Sequence, residues 1–249
     1  MLTSKRLLGV VFACLATVPS ASPRAAAAQS QPPADVFVVS TLYREHATTP
    51  SYDLDSLRRV IEVIRPDVLV LDVTPDELRA QKVSPGKIEY PQTIFPLVQA
   101  GNYRVYPSEP AEPLFSEIVQ GIIAENEALA RESPDAAAAK RALQQGMLSA
   151  LRLSWKSPAD AHSEMTDEAI RHMRAVYATL GGPVHREGQH RWNRHHADVV
   201  LRAARENPGK RVLQLVGIEN RYEVLDLLRN EPSVRLVDVS AYLRANAQR

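Results

Sequence analysis

Apolar β-branched runs alternate along this chain with stretches whose apolar residues recur at helical spacing. Val36–Thr41 (VFVVST) is a continuous apolar run of strand length, and predicts a buried strand. Asp53 to Arg65 places Leu54, Leu57, Val60, Ile61 and Ile64 on one face of a helix that Pro66 ends. Val68–Val73 (VLVLDV) reads as a second strand. Thr74 to Pro96 is proline-rich and loop-like, with at most short helical pieces, and Tyr103–Pro107 gives a short third strand. Four helices follow. The first carries the stripe Phe115, Ile118, Val119, Ile122 and Ile123, and the second is the alanine-rich Ala136–Leu151. The third is capped by Thr166 and stopped by Gly181-Gly182. The fourth runs from about Arg186 to Glu206 and stops at Asn207-Pro208-Gly209. Val212–Val216 is a fourth strand, Glu219–Arg229 a helix and Val234–Val239 a last strand.

The predicted order is β-α-β-loop-β-αααα-β-α-β. The strands are apolar on both sides, as in a sheet covered by helices on both faces. The terminal βαβ units imply parallel neighbours. The expected fold is therefore α/β: a mostly parallel central sheet of about five strands flanked by helices, with a helical insertion between the third and fourth strands.

The amino terminus changes how much chain the fold can use. Lys5 and Arg6 precede an apolar run, Leu7–Val18, which small residues and the alanines Ala25–Ala28 follow. This is a secretory-signal pattern with cleavage near Ala28, too short in its apolar part to span a bilayer comfortably. The organisation expected is a signal peptide over 1–28, a linker over 29–34 and a single α/β domain over 35–249, in an exported protein, periplasmic or secreted. Lipoprotein anchoring at Cys14 is the minor alternative. Cys14 is the chain's one cysteine, so a processed protein has no thiol for disulfides, zinc–thiolate sites or nucleophilic catalysis. Lys+Arg number 30 against 29 Asp+Glu, and three of the cations (Lys5, Arg6, Arg24) fall in the leader. That balance gives no argument for nucleic acid or an anionic membrane surface as a partner, and none is expected. No later segment is long and apolar enough to cross a membrane.

In open parallel sheets, ligands bind beyond the carboxyl ends of the strands. Those ends collect Tyr43, Arg44 and His46 after the first strand, Asp72 at the end of the second, Glu109 after the third, and Glu219, Asn220 and Tyr222 after the fourth. Glu109 and Glu219 taken alone read as helix-cap acids. Asp72 sits in a run of Val and Leu and must be partly buried, so it needs a partner, structural or functional. His185, His190 and His195 are spaced by five residues, which turns a helix by about 140° per step, so they cannot share a face. His196 lies on the apolar stripe with Trp192, Val199, Val200 and Ala203, and reads as a satisfied core histidine, with a site role as the alternative. Arg194 and Asp198 form an i,i+4 pair. The chain has no H-E-x-x-H, no G-x-S-x-G, no phosphate-binding loop and no G-x-G-x-x-G.

Two segments, "FVVSTLYREHATTPSYDLDSLRRVIEVIRPDVLVLDVTPDEL" and "RWNRHHADVVLRAARENPGKRVLQLVGIENRYEVLDLL", around a helical middle, resemble the superfamily of TraB/Tiki, ChaN-like and erythromycin-esterase-like proteins. Family members carry a first strand ending in Gly-x-x-His, a second with an acidic end, an arginine-bearing late helix, and a later strand ending in Gly-x-x-His or Gly-x-Gly-His. The resemblance implies a site at these strand ends. In Tiki-type members two histidines and the acid hold a metal for peptide hydrolysis, and in esterase-like members a histidine is the general base. Asp72 matches the acidic position, Arg194 the helix arginine and Gly217 the second glycine. Tyr43 and Asn220 stand where the family has its two histidines. Neither is a good ligand for a divalent metal, and a neutral amide is no general base. The ligand motifs for a metal are therefore not intact, although a divalent ion stays open.

The function these readings imply is a hydrolase acting on ester or amide bonds. His46, Asp72 and Glu219 would be catalytic, and Tyr43, Arg44, Glu109, Arg194, Asn220 and Tyr222 would bind substrate. The alternative is a non-catalytic ligand-binding protein using the same rim pocket. Either would take a small-molecule or peptide ligand.

Overall fold

A computed structural model describes residues 31–247 of the chain. The leader reading, with Cys14, lies outside them. Five strands form one sheet: β1 (Ala34–Thr41), β2 (Val68–Leu71), β3 (Arg104–Pro107), β4 (Arg211–Gly217) and β5 (Val234–Leu236). Their spatial order is β3-β2-β4-β1-β5 and every pairing is parallel. The two long strands lie side by side, from Asp35 opposite Arg211 to Thr41 opposite Gly217. The α/β class, the parallel sheet and the helical insertion between the third and fourth strands all follow the sequence pattern.

Alternation along the strands explains why both faces are covered. Phe37, Val39, Leu69, Leu71, Leu213 and Leu215 point to one face, where α1 (Leu54–Ile64) packs Leu57, Ile61 and Ile64 against them. Val36, Val38, Val68, Val70, Val212 and Val216 point to the other, under the two later helices α8 (Pro183–Glu206) and α9 (Ile218–Leu228). Each face removes a continuous apolar layer from water, which is the main favourable term for the fold. α1 begins where the Asp53 side chain accepts from the Ser56 N–H at 2.8 Å. It ends at Arg65, whose left-handed backbone (φ 51°) precedes Pro66 and cannot continue the helix.

The proline-rich stretch holds two short helices, α2 (Pro75–Ala80), closed by a Thr74–Glu77 capping box, and α3 (Phe95–Ala100), entered through a π turn at Tyr90–Ile94. The insertion comprises α4 (Leu114–Glu132), α5 (Pro134–Ser154), the single turn α6 (Pro158–Ala161), α7 (Glu164–Gly181) and α8.

Three details differ from the sequence pattern. The cap of α7 is Ser163, whose hydroxyl accepts from the Thr166 N–H at 3.3 Å. Thr166 is instead buried, accepting from Trp155 Nε1 and donating to the Asp160 carbonyl. The last strand is only three residues long, because Asp238 caps a further helix, α10 (Val239–Asn246), through the Ala241 N–H. On α4, Ile118 is buried while Ile123 is half exposed, so its apolar stripe is narrower than the spacing suggests. No described helix is long and apolar enough to cross a membrane.

Candidate functional site

Two polar constellations occupy the carboxyl ends of the strands, one sealed in the protein and one facing a cavity. The sealed one is built around Asp72, 1% exposed, just past β2. The Tyr43 hydroxyl donates to Asp72 Oδ2 at 2.7 Å. Lys87 Nζ donates to the Asp72 carbonyl at 2.7 Å and pairs with Glu109. His196 Nε2 lies 3.4 Å from Asp72 Oδ1. Burial by itself would raise the Asp72 carboxyl, but Lys87, His196, the Tyr43 hydroxyl and the Gly217 amide outweigh it and hold it below the usual carboxylate range. Lys87 is likewise lowered by burial, yet the Asp72 and Glu109 charges carry it above the usual lysine range.

Tyr43 owes its position to two local features. Its backbone is left-handed, φ 52°, a conformation bulky residues avoid. Its ring rests on Gly217, where even a methyl group would come within 2.8 Å of the ring's Cζ. The glycine that ends β4 thus leaves the space into which the residue after β1 folds back.

Ser108, His196 and Asp72 lie side by side, with Ser108 Oγ 2.9 Å from His196 Nδ1, but His196 Nε2 and Asp72 Oδ1 make no hydrogen bond among the described residues. The polarity of Ser108 is wrong for a nucleophile. The Ser108 hydroxyl donates to the Leu71 carbonyl at 2.9 Å, so its proton is not offered to His196. Ser108 and His196 are also fully buried. Burial lowers the His196 imidazole to about 4, which keeps it neutral near neutral pH.

Glu89, fully buried beside this cluster, has no hydrogen-bond partner for either carboxyl oxygen among the described residues. Burial, reinforced by the Asp72 charge, pushes its carboxyl up to about 7. Between the ordinary value of about 4.5 and about 7, the folded protein keeps a proton that the unfolded chain has released, so this group's contribution to stability falls as pH rises through that window. Glu89→Gln is expected to stabilise the protein at pH 7.5 by about 2–3 kcal/mol, and by much less at pH 4.5. Paired urea denaturations at the two pH values measure the difference. The depressed buried histidines His46, His162 and His196 work in the opposite direction. They are common to both proteins and cancel in the comparison.

The second constellation lines a cavity of about 640 Å³, within the usual size range for small-molecule sites. Its floor is the turn after β1 (Leu42 to Glu45) and the start of α9 (Gly217 to Asn220), and its walls come from α4, α5, α7 and α8 of the insertion. Glu219 accepts from Gln144 Nε2 at 2.7 Å and lies 3.4 Å from Arg174 Nη2. Asn220 accepts from Gln189 Nε2 at 2.8 Å. Arg152 pairs with Glu45. Ile118, Ile122, Leu148 and Trp192 supply an apolar side. Tyr43 belongs to both constellations, with its hydroxyl on Asp72 and its ring in the cavity lining.

The residues singled out in the sequence divide accordingly. Tyr43, Arg44, Glu219 and Asn220 line the cavity, and Asp72 and Glu109 lie in the sealed cluster. His46 cannot serve as the base proposed for it. Its Nε2 accepts from the Leu42 N–H at 3.0 Å and its Nδ1 donates to the Tyr52 carbonyl at 2.8 Å. Both nitrogens are spent on backbone, and burial lowers the ring to about 4. Arg194 is exposed on α8 and does not line the cavity, and its expected pair with Asp198 is not formed among the described residues. Tyr222 packs under the Arg171 guanidinium, 4.9 Å from ring centroid to Cζ, also outside the lining. His196 is a core histidine only partly satisfied, with Nδ1 on Ser108 and Nε2 without a hydrogen bond among the described residues, and it does not line the cavity.

Lys87, Glu89, Ser108, Arg174 and Gln189 were not legible as site residues. Lys87 and Glu89 sit in the proline-rich segment, whose path the pattern does not fix. Arg174 and Gln189 are ordinary polar positions on amphipathic helices. Among the described residues no group of three or more His, Cys, Asp or Glu side chains could hold a metal ion. Comparison with known proteins gives no matching family model, no similar curated protein and no similar solved structure.

Proposed function

We propose that this chain is an exported, non-catalytic ligand-binding protein, and that the cavity between the strand ends and the helical insertion takes a small molecule or short peptide. The observation that carries the reading is the separation of cavity from ionisable cluster. The cavity is lined by arginines, amides, paired glutamates and apolar side chains. Of the groups able to act as base or nucleophile, His46 and Ser108 are buried and committed to other partners, His196 and Glu89 are buried outside the cavity lining, and Glu45 and Glu219, which line it, are paired. Hydrogen-bonding groups converging on a partly apolar concavity are what binding needs, whereas general-base catalysis needs a free imidazole or carboxylate within reach of the substrate. The placement of Tyr43, Asp72 and Gly217 around one point supports reading the chain as a divergent member of the TraB/Tiki-like superfamily in which the histidine positions hold Tyr43 and Asn220.

Both tryptophans of the chain, Trp155 and Trp192, line the cavity, so intrinsic fluorescence reports its occupancy. A screen of small amphipathic compounds and dipeptides is expected to find saturable fluorescence changes. Ile122→Trp, which fills the cavity, should weaken the best compound at least tenfold while leaving the thermal transition within a few degrees. The same library, supplemented with p-nitrophenyl esters and fluorogenic peptides, is scored for turnover. Hydrolysis that is lost in Ser108→Ala or Asp72→Asn would overturn the reading in favour of an enzyme.

A further inference from the structure

We infer that the cavity selects an amphipathic monoanion, with a carboxylate docked at Arg174 and an apolar body against Ile118, Ile122, Leu148 and Trp192. The inference rests on the ligand-binding reading and adds the chemical class of the ligand. Arg174 reaches the cavity from α7 with its side chain only 12% exposed. Its Nη2 donates to Gln189 Oε1 at 2.8 Å and lies 3.4 Å from Glu219 Oε2. Its Nε is buried with no acceptor, and its Nη1 neither hydrogen-bonds nor is buried, among the described residues. A guanidinium withdrawn from water with donors unmet is a costly arrangement. A ligand carboxylate would accept from Nη1, the guanidinium nitrogen left open, while Nε stays sealed behind it and Nη2 stays with Gln189 and Glu219.

The charges around the cavity point the same way. Both glutamates of the lining are already engaged, Glu219 by Gln144 and Arg174, and Glu45 by Arg152. Arg44, the third arginine of the lining, has no ion-pair partner among the described residues. Three guanidinium groups against two carboxylates leave one net positive charge. α9 also begins at the cavity with no side chain capping it, so its positive dipole end faces the same space. One net charge, with Glu219 held close to Arg174, suits a single negative charge and disfavours a dianion. The apolar side opposite gives the rest of the molecule a place out of water.

The test uses three probes of one shape, octanoate, octanamide and octylamine, titrated into the full chain at pH 7.5 with tryptophan fluorescence as readout. Octanoate is expected to bind at least tenfold more tightly than octanamide, and octylamine more weakly than either. Arg174→Gln should remove the preference, so that octanoate binds the variant no more tightly than octanamide binds it. Added salt should weaken octanoate alone. Equal binding of octanoate and octanamide by the unaltered protein overturns the inference, whatever the variant does, and leaves the ligand-binding reading standing. Failure of octanoate to bind, while a neutral compound from the wider screen does, has the same meaning. No saturable binding of any compound removes the ligand-binding reading itself.

Discussion

Asp72→Ala is expected to lower the unfolding free energy by about 3–5 kcal/mol, the usual loss when one partner is removed from a buried charge pair. Two groups lose their counterpart at once and a third its neighbour. The Tyr43 hydroxyl has no acceptor, Lys87 loses the Asp72 charge and keeps Glu109 as its ion-pair partner, and His196 faces a void. Asp72→Asn retains the shape and an oxygen for Tyr43, so its loss should be smaller. The pH dependence separates charge from packing. Because the folded Asp72 carboxyl lies below its ordinary value, it contributes stability above about pH 4 that disappears as pH falls through its folded value. Stability measured from pH 5 down to pH 2 should therefore fall more gently in Asp72→Asn than in the unaltered protein. Identical slopes would show that the carboxylate is not held ionised by its neighbours.

Gly217→Ala should be the most damaging single methyl group that can be added to the site. The Gly217 backbone, φ −54° and ψ 136°, is ordinary for alanine, so the loss comes from contact and not from conformation. The new methyl would lie 2.8 and 2.9 Å from Cζ and Cε2 of Tyr43 and closer still to its hydroxyl. The ring must leave its seat, losing the Asp72 hydrogen bond and distorting the cavity floor. A destabilisation of about 1–3 kcal/mol is expected, with ligand affinity reduced at least tenfold. Tyr43→Phe in the same background should not rescue stability, because the ring atoms still collide. Tyr43→Ala should rescue most of it, giving a strong favourable coupling in the double-mutant cycle. Additive effects would show that Tyr43 and Gly217 are not in contact.

The sheet was legible because its signal is local: each strand is a short apolar run bounded by turn residues, and each helix has a stripe and a stop. The two late misreadings, the cap of α7 and the extra helix α10, turn on single side chains, Ser163 and Asp238, that could equally have stood in a loop. The site was half legible. The rule about strand ends located Tyr43, Asp72, Glu109, Glu219 and Asn220, since chain topology alone carries those positions to one rim. It could not distinguish cavity from core. His46 looked like a reactive histidine because it follows a strand in a polar loop. Its fate is decided by two backbone groups, at Leu42 and Tyr52, whose approach depends on the turns between them. Arg174 and Gln189 come from helices whose packing angles are set by long-range contacts, and nothing in their own segments marks them.

The cavity joins two layers that are otherwise distinct. Its floor belongs to strand ends, its walls to the inserted helices, and the chain passes between them only through the segments flanking the insertion. A bound molecule would therefore act as a tie between these layers. By mass action, an excess of 100 times the dissociation constant would add about 2.7 kcal/mol to stability. The gain should be uneven in space. Backbone amides of β1 and β4 are already deep in the sheet and have little protection left to acquire. Those of α4, α5 and α7 have much more, so occupancy should be read in hydrogen exchange of the helices and not of the strands.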